Sequence, residues 1–382
     1  MKDKIVLNET SYFGWGSRDV LATEIKKRKY KKGLLVTDAN LLKAGVTNKV
    51  KEVLDNNGIE YEVFKDVVSN PTIATVKKGL KVANKYHVDF IIAVGGGSVI
   101  DTAKAIGIIC TNPELKDVYS LFGVSQSKNR SLPIIALPTT AGSAAETTIY
   151  YDILDEEGKM KAVAMDDNSI PVLSIVDAEL MAGMPISVIA STGIDALAQS
   201  IECYITKNHN EMSDMFALKA MDLIYNYLEK AANKDKDALE KMALGQYLSG
   251  MGFSNAGLGL CHAMAHQLSA TYNIPQGLAN SLLLPYILEF NCDACIDRYV
   301  DMANVIGIDT DGLGKEEIAN RFVENIRELC MRLNIPQHIS ELGGSEEDII
   351  TLVYKTGYDP FFIQNPKELD ADVIEELFKK AF

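Results

Sequence analysis

The sequence predicts an α/β domain with a parallel sheet, followed by an all-α domain. In the first half of the chain, short apolar runs alternate with helical patterns, which is typical of βαβ units. From about Met184 onward, apolar residues recur with the helical period and strand patterns are no longer found. The 382 residues also exceed what one hydrophobic core usually supports. We therefore predict two domains, residues 1–184 and 185–382, with the boundary in the segment GMPISV.

Each domain can be assigned from its own runs of residues. Five apolar runs predict strands in the first domain: KKGLLVTD, EYEVFKDV, VDFIIAVGGG, LPIIALPTT and VLSIVDAEL. The helical patterns NKVKEVLDNNG, TVKKGLKVANKY and VIDTAKAIG follow the first three of these. Long helical patterns dominate the second domain, as in SVIASTGIDALAQSIECYI and DMFALKAMDLIYNYLEKAANK. Parallel strands present their carboxyl ends at one edge, so ligand-binding residues are expected there.

Composition limits the partners and the cell compartment. The formal net charge of −14 argues against nucleic acid or an anionic membrane as partner, because phosphates would be repelled over most of the surface. The first residues form no apolar signal segment, and apolar runs of the ~18 residues needed for a membrane span are missing. Six cysteines in a chain of this length are more typical of reduced thiols than of a disulfide framework. We predict a cytoplasmic protein.

A glycine-rich turn lies between a buried strand and a helix. Gly96, Gly97 and Ser98 would let the phosphates of a ligand approach backbone N–H groups at the positive end of the helix. A tight turn without a ligand is the alternative, since the spacing is not that of the G-x-G-x-x-G fingerprint.

Polar residues end two other predicted strands. Asp38 ends the strand LLVTD, where a carboxylate can accept from both ribose hydroxyls of an adenosine and would repel a 2′-phosphate. A helix N-cap before ANLLKAG is the alternative for Asp38. Thr139, Thr140 and Ser143 add hydroxyl groups after the next apolar strand.

The helical half carries polar pairs at one-turn spacing. Asp195 and Gln199 form one pair, and His262 and His266 form another in a chain with only five histidines. The segment that follows the histidines ends near Gln276. A helix cap at Asp195 and a core histidine at His262 are the structural alternatives.

Several motifs occur together in an order typical of one enzyme family. They are GGGSVIDTAKAIG, ALPTTAGSAAE, GIDALAQSIE, MALGQYLSGMGFSNAGLGLCHAMAH and NIPQGLAN. On these motifs the chain resembles the iron-containing alcohol dehydrogenase family over essentially its whole length. The resemblance implies a dehydroquinate synthase-like fold, with an α/β domain that binds NAD, a helical domain, and one divalent metal in the cleft between them. It also implies a homodimer, and we expect the segment KIVLNE to pair across the interface.

The resemblance gives roles to the polar residues of the helical half. In the family, an aspartate and three histidines hold the metal, typically Fe²⁺; Zn²⁺ also suits imidazole nitrogen. Asp195 and His262 match two of these ligands, whereas Gln199 and Gln276 stand where the family has histidine. An amide oxygen is a weaker ligand than an imidazole nitrogen, so we expect a metal to be held weakly or to be absent. His266 matches a histidine that the family is thought to use in proton transfer.

The resemblance also assigns cofactor and substrate positions. The residues predicted to bind NAD are Asp38, Asn70, Gly96, Gly97, Ser98, Asp101, Thr139, Thr140, Ser143 and Lys161. Tyr150, Tyr151 and Phe361 stand at or beside substrate-pocket positions, and their rings are expected to shrink or reshape the cavity.

These observations predict an NAD-dependent oxidoreductase that interconverts a short aldehyde and an alcohol or 1,2-diol, with a degenerate divalent-metal site. Two alternatives remain open. The first is a metal-independent reductase in which His262 and His266 supply the hydrogen-bond donors. The second is a non-catalytic NAD-binding paralogue that acts in assembly.

Overall fold

The computed structural model describes residues 4–124 and 126–382. The chain forms two compact units, Ile5–Met184 and Pro185–Phe382. The first contains two β-sheets with helices, and the second contains helices and connecting turns. This is the predicted fold class, which the structure confirms.

The first unit contains nine strands and six α-helices among its described residues. The strands are β1 (Thr10–Phe13), β2 (Lys32–Val36), β3 (Glu60–Phe64), β4 (Phe90–Gly95), β5 (Gly123–Val124), β6 (Ile134–Pro138), β7 (Tyr150–Asp155), β8 (Met160–Met165) and β9 (Leu173–Val176). The helices are α1 (Leu21–Arg28), α2 (Ala39–Lys43), α3 (Val46–Asn56), α4 (Ile73–Tyr86), α5 (Gly97–Thr111) and α6 (Ala178–Met181).

The larger sheet is parallel throughout, with the strand order β1-β9-β6-β4-β2-β3. Alternate residues of its central strands enter two apolar clusters, because successive side chains point to opposite faces. Leu34 and Ile91 lie in one cluster, and Leu35 and Ile92 lie in the other. Both faces of the sheet are therefore buried, which explains the continuous apolar runs in the sequence.

The smaller sheet has the order β5-β8-β7, and β7 pairs antiparallel with β8. The sequence prediction did not include it. It contributes Tyr151, which is 1% exposed and packs in the same apolar cluster as Ile153 and Ala164. The ring of Tyr151 thus lies in the core of this unit, which differs from the pocket position expected for it.

The second unit is built from nine α-helices among its described residues. They are α7 (Ile186–Ile205), α8 (Glu211–Ala232), α9 (Lys236–Ala256), α10 (Leu260–Tyr272), α11 (Gln276–Asn291), α12 (Ile296–Val305), α13 (Lys315–Arg332), α14 (Ile349–Thr356) and α15 (Ala371–Ala381). Helix α7 packs against α8, α9 and α11. A Cβ atom at Gly193 would lie 2.2 Å from the Cδ1 methyl of Leu228 of α8, so a larger residue there would displace the leucine side chain. In the part of the chain that the structure describes, none of the helices has the length and apolar character of a membrane span.

Candidate functional site

The carboxyl ends of three neighbouring parallel strands carry the predicted cofactor residues of the first unit. Asp38 lies just after β2, the Gly96–Gly97 turn follows β4, and Thr139 follows β6. Because β2, β4 and β6 are adjacent in the sheet, these residues share one edge. This is the edge at which open α/β sheets bind ligands.

The glycine turn packs tightly against the hydroxyl-rich loop after β6. A Cβ atom on Gly97 would lie 2.9 Å from Cβ and Oγ of Ser143, and one on Gly96 would lie 3.2 Å from the side chain of Thr140. Gly97 begins the 15-residue helix α5 with Gly96 as its N-cap. The turn therefore presents backbone N–H groups next to hydroxyl groups, which suits a phosphate.

The loop after β3 joins the same edge. The Ser98 hydroxyl donates to the carbonyl oxygen of Ser69. The next residue, Asn70, is 5% exposed and is thereby held beside the glycine turn. Thr139 is also buried, at 3% exposure.

Asp38 forms the helix cap that the sequence offered as an alternative. Its Oδ1 accepts from the backbone N–H groups of Asn40 at 2.8 Å and Leu41 at 2.9 Å, at the start of α2. Neither of these two bonds involves the other carboxylate oxygen, Oδ2. Capping through one oxygen is compatible with a ligand hydroxyl at the other.

Asp101, which is half-buried, interacts with the charges of two buried lysines, Lys104 and Lys161. The Lys104 ammonium donates to the Thr148 carbonyl at 2.7 Å, the Thr148 hydroxyl at 2.9 Å and the Tyr150 carbonyl at 2.7 Å. Burial, followed by the carboxylate of Asp152, raises the pKa of Asp101 to about 7, although the charges of Lys104 and Lys161 oppose this. Asp101 can therefore change charge near neutral pH.

A second group of polar residues lies inside the helical unit. His262 Nε2 is 3.6 Å from Asp195 Oδ1, and the Asn280 side-chain amide donates to that same oxygen at 2.6 Å. Asp195 stands in the middle of α7 rather than at its start, so the alternative of a helix cap is wrong. The structure thus brings two predicted site residues, from α7 and α10, together in a buried environment.

Glu202, which the sequence analysis did not single out, holds the His262 ring. Its Oε2 lies 2.6 Å from His262 Nδ1, and its Oε1 accepts from the backbone N–H of Cys261 at 2.6 Å. A Cβ atom at Gly259 would lie 2.9 Å from Oε1, so the glycine makes room for this carboxylate. Glu202 follows Asp195 by two helical turns in α7, and that spacing is the signal that could have identified it.

His262 Nε2 is a buried polar atom without a hydrogen-bond partner among the described residues. Burial alone lowers the pKa of His262, but the carboxylates of Asp195, 3.6 Å from Nε2, and of Glu202, hydrogen-bonded to Nδ1, outweigh burial and raise the pKa to about 9. An unsatisfied imidazole nitrogen of this kind can hold a proton or a metal ion. It is therefore not an ordinary satisfied core histidine.

The two glutamines are placed differently. Gln199 is 4% exposed, and its side-chain carbonyl accepts from the Ser249 hydroxyl at 3.2 Å. Gln276 begins α11, and the next residue, Gly277, packs against Asp195: a Cβ atom there would lie 3.3 Å from the Asp195 Cβ. The segment that carries Gln276 is thus brought next to the aspartate.

These residues do not fit the iron site that the resemblance implies. Only Asp195 and His262 are strong ligands for Fe²⁺ or Zn²⁺. The Gln199 carbonyl, a weaker ligand than imidazole nitrogen, accepts from the Ser249 hydroxyl, which also donates to the Ala196 carbonyl at 3.1 Å. Within residues 4–124 and 126–382, groups of three or more His, Cys, Asp and Glu side chains that could hold a metal do not occur.

His266 lies one turn beyond His262 and has a carboxylate of its own. Its Nδ1 is 2.7 Å from Asp359 Oδ2, and both side chains are 1% exposed. The other oxygen of Asp359 accepts from the backbone N–H of Phe361 at 3.0 Å. The Phe361 ring lies 6.0 Å from the His266 ring, between centroids. Sequence analysis missed Asp359, because 93 residues separate it from His266.

Comparisons with known proteins agree with this architecture. A model described as "Iron-containing alcohol dehydrogenase" matches residues 8–178, and one for the C-terminal part of the same family matches residues 189–382. The chain is 45% identical over 382 residues to a lactaldehyde reductase of Escherichia coli (strain K12), covering 100% of both. It is 38% identical to a 1,3-propanediol dehydrogenase of Citrobacter freundii, covering 100% of this chain and 99% of the relative.

Solved structures show the same similarity. A 1,3-propanediol oxidoreductase superposes with a TM-score of 0.96 at 35% identity, and 100% of both chains is covered. The sulfoacetaldehyde reductase of Bifidobacterium kashiwanohense, solved in complex with NAD⁺, superposes with a TM-score of 0.88 at 28% identity, covering 100% of this chain and 99% of the other. The chain belongs to the iron-containing alcohol dehydrogenase family.

Proposed function

We propose that this protein is an NAD-dependent oxidoreductase that interconverts a short aldehyde and an alcohol or 1,2-diol. The observation that carries the proposal is the 45% identity, over the full length, to a lactaldehyde reductase. The similarity to a 1,3-propanediol dehydrogenase supports the same substrate class.

In this proposal residues 1–184 bind NAD and residues 185–382 carry the groups that act on the substrate. The glycine turn beside Thr140 and Ser143 would receive the phosphates, and Asp38 would accept from ribose hydroxyls. Asn70, Asp101 and Lys161 complete the assigned set. NAD, when bound, exchanges a hydride with the substrate carbon.

The protein contributes a proton at the substrate oxygen. We assign this step to His266, whose ring is held by Asp359 in a buried environment. In the reduction the ring donates a proton to the forming alcohol, and in the oxidation it accepts one. Phe361, 3% exposed and next to His266, would restrict the substrate to a short chain.

The second candidate is a metal-independent reductase of the same fold. It is favoured by the amide of Gln199, which stands where the family has a histidine ligand and carries an NH₂ group that can donate hydrogen bonds. In that case His262 and Gln199 would donate hydrogen bonds to the substrate oxygen, in place of a metal.

We also propose a homodimer with small-molecule substrates, in the cytoplasm, without nucleic acid or membrane partners. The net charge of −14 supports the exclusion of polyanionic partners. The single experiment that tests the function is NADH oxidation with a panel of short aldehydes, combined with iron and zinc measured per chain. Failure to reduce any aldehyde by a protein that still binds NADH would instead support a non-catalytic paralogue.

A further inference from the structure

The two histidines of α10 are each paired with a buried carboxylate, and the His266 pair also lies beside the Phe361 ring. His266 Nδ1 is 2.7 Å from Asp359 Oδ2, with Phe361 packed against the imidazole. The two partners are 93 residues apart in the chain, so the contact is made by tertiary folding.

Asp359 is itself fixed by the turn that follows α14. Its backbone N–H donates to the Thr356 carbonyl at 3.1 Å, and its carbonyl accepts from the Phe362 N–H at 3.1 Å. Its side-chain Oδ1 accepts from the Phe361 N–H at 3.0 Å, so Oδ2 is directed to the imidazole. A carboxylate held at both oxygens has little freedom to rotate, and the ring that it contacts is oriented with it.

The pairing has a chemical consequence for His266. A carboxylate is an acceptor only, so the nitrogen that faces it carries the proton. In the neutral ring, a proton on Nδ1 makes Nε2 the basic nitrogen. The tautomer is therefore set by Asp359, and proton exchange with a substrate is assigned to Nε2.

We propose that Asp359 is a positioning residue that holds His266 in the Nδ1–H tautomer for proton transfer, and this inference rests on the proposed function. Asp359 keeps its negative charge throughout. In the reduction, the proton leaves Nε2 for the substrate oxygen and Nδ1 keeps its own; in the oxidation, the substrate hydroxyl proton goes to Nε2. Asp359 also stabilises the imidazolium form through the same hydrogen bond.

The test uses the full-length protein with Asp359→Asn. The asparagine carbonyl can still accept from Phe361, but its NH₂ would donate to Nδ1 and move the ring proton to Nε2. We expect kcat to fall by about 10²–10⁴-fold, whereas the NADH dissociation constant and the aldehyde KM stay within about threefold. Asp359→Glu should recover part of kcat, because it restores an acceptor.

A spectroscopic measurement separates positioning from a structural role. With only five histidines, the imidazole ¹⁵N signals can be assigned by NMR from single substitutions. His266 should show a protonated Nδ1 in the unchanged protein and a protonated Nε2 in Asp359→Asn. Asp348→Asn is the matched control: Asp348 borders α14 and accepts from Tyr272 at 3.0 Å, so its loss should leave both kcat and the His266 tautomer unchanged.

Two further results decide between this inference and the proposed function. The double variant His266→Ala with Asp359→Asn should be no slower than His266→Ala alone, because the two residues act as a unit. An unchanged kcat in Asp359→Asn, or an Nδ1 without a proton in the unchanged protein, would overturn the positioning role. If the unchanged protein reduces no aldehyde, the proposed function fails, and the ¹⁵N signals still decide whether Asp359 sets the tautomer.

Discussion

At the scale of single residues, the two glutamines decide whether this site can hold a metal. Gln199 has its carbonyl on Ser249, and Gln276 begins the helix whose next residue packs against Asp195. If these amides are the only obstacle, Gln199→His with Gln276→His should supply four strong ligands. We expect iron or zinc close to one per chain after dialysis, measured by elemental analysis.

Each single glutamine substitution serves as the control for the pair. Each single variant has only three strong ligands and should retain much less metal. The gains in metal content from the two substitutions should therefore not be additive. A Lewis acid worth ~4 kcal/mol would also raise alcohol oxidation on the order of a thousandfold. Tight, stoichiometric iron in the unaltered protein would contradict our conclusion that the residues do not fit the metal.

Asp38 should set the preference between the two nicotinamide dinucleotides. Its charge would repel a 2′-phosphate, so we expect NADH to bind more tightly than NADPH. Asp38→Asn preserves the cap on α2 but removes the charge, and should narrow the difference in affinity between NADH and NADPH. Asp38→Gly, which costs only a few tenths of a kcal/mol as an N-cap, should do the same. Equal affinities in the unchanged protein, measured by fluorescence titration, would remove this assignment.

Asp101 should make the stability of the protein depend on pH. Its folded-state pKa of about 7 lies above the ordinary value of 3.8, so the folded state binds the proton more strongly. The stability that this proton gives to the folded state is lost as the pH rises towards 7. Above pH 7 Asp101 is charged, and the full free-energy cost of burying that charge remains. Asp101→Asn should therefore raise the melting temperature, by about 2 °C or more at pH 8 and by less at pH 5. A larger rise in melting temperature at pH 5 than at pH 8 would contradict the raised pKa of Asp101.

The sequence could indicate which residues carry chemistry but not how they are held. His262 and His266 could be identified because histidines are few in this chain and these two are spaced by one helical turn. Such spacing is a local pattern that can be read from the sequence. Their carboxylate partners, Glu202 and Asp359, lie 60 and 93 residues away, so only the tertiary fold shows the contacts. The orientation of the Gln199 amide likewise depends on Ser249 from another helix.

At the scale of elements, the turn from β4 into α5 leaves little room for an added side chain. A Cβ atom on Gly97 would lie 2.9 Å from Ser143, so Gly97→Ala must displace this loop. We expect a weakening of NADH binding by about tenfold or more, corresponding to ~1.4 kcal/mol. Gly314→Ala is the control, because Gly314 likewise lies at the start of a helix, as the N-cap of α13, and has no atom within 4 Å of such a Cβ. Equal NADH affinity of both variants would show that the turn does not approach the cofactor.

Five of the six strands of the larger parallel sheet could be predicted, whereas β1 and the antiparallel pair of β7 and β8 could not. Strands β2, β4 and β6 are buried on both faces and read as continuous apolar runs. In contrast, β7 and β8 contain charged residues and join a small separate sheet, so their pattern is weaker. Residues 4–8 of the segment KIVLNE, which we expect to pair across the dimer interface, form no strand in the single chain, and β1 begins at Thr10.

At the scale of the whole molecule, association of two chains is the remaining expectation. Strand β1 is an edge of the larger sheet, and Phe13 at its end is 45% exposed. Exposed edges are covered in many proteins by pairing with another chain. The segment before β1 is anchored at Asn8, whose side chain donates to the carbonyls of Glu146 at 2.8 Å and Pro171 at 2.7 Å. We expect this anchored segment to pair across the dimer interface.

Leu7, 38% exposed and next to this anchor, offers a test of the dimer. Leu7→Pro removes a backbone donor and should weaken association by about tenfold or more, because a proline is poorly tolerated in a paired strand. Leu7→Ser keeps the backbone donor and should leave association nearly unchanged, so the pair separates backbone pairing from loss of the side chain. Sedimentation or light scattering at several concentrations measures the result. A purely monomeric unchanged protein at micromolar concentration would refute the homodimer, and equal weakening by both substitutions would place the contact on the Leu7 side chain instead of the backbone.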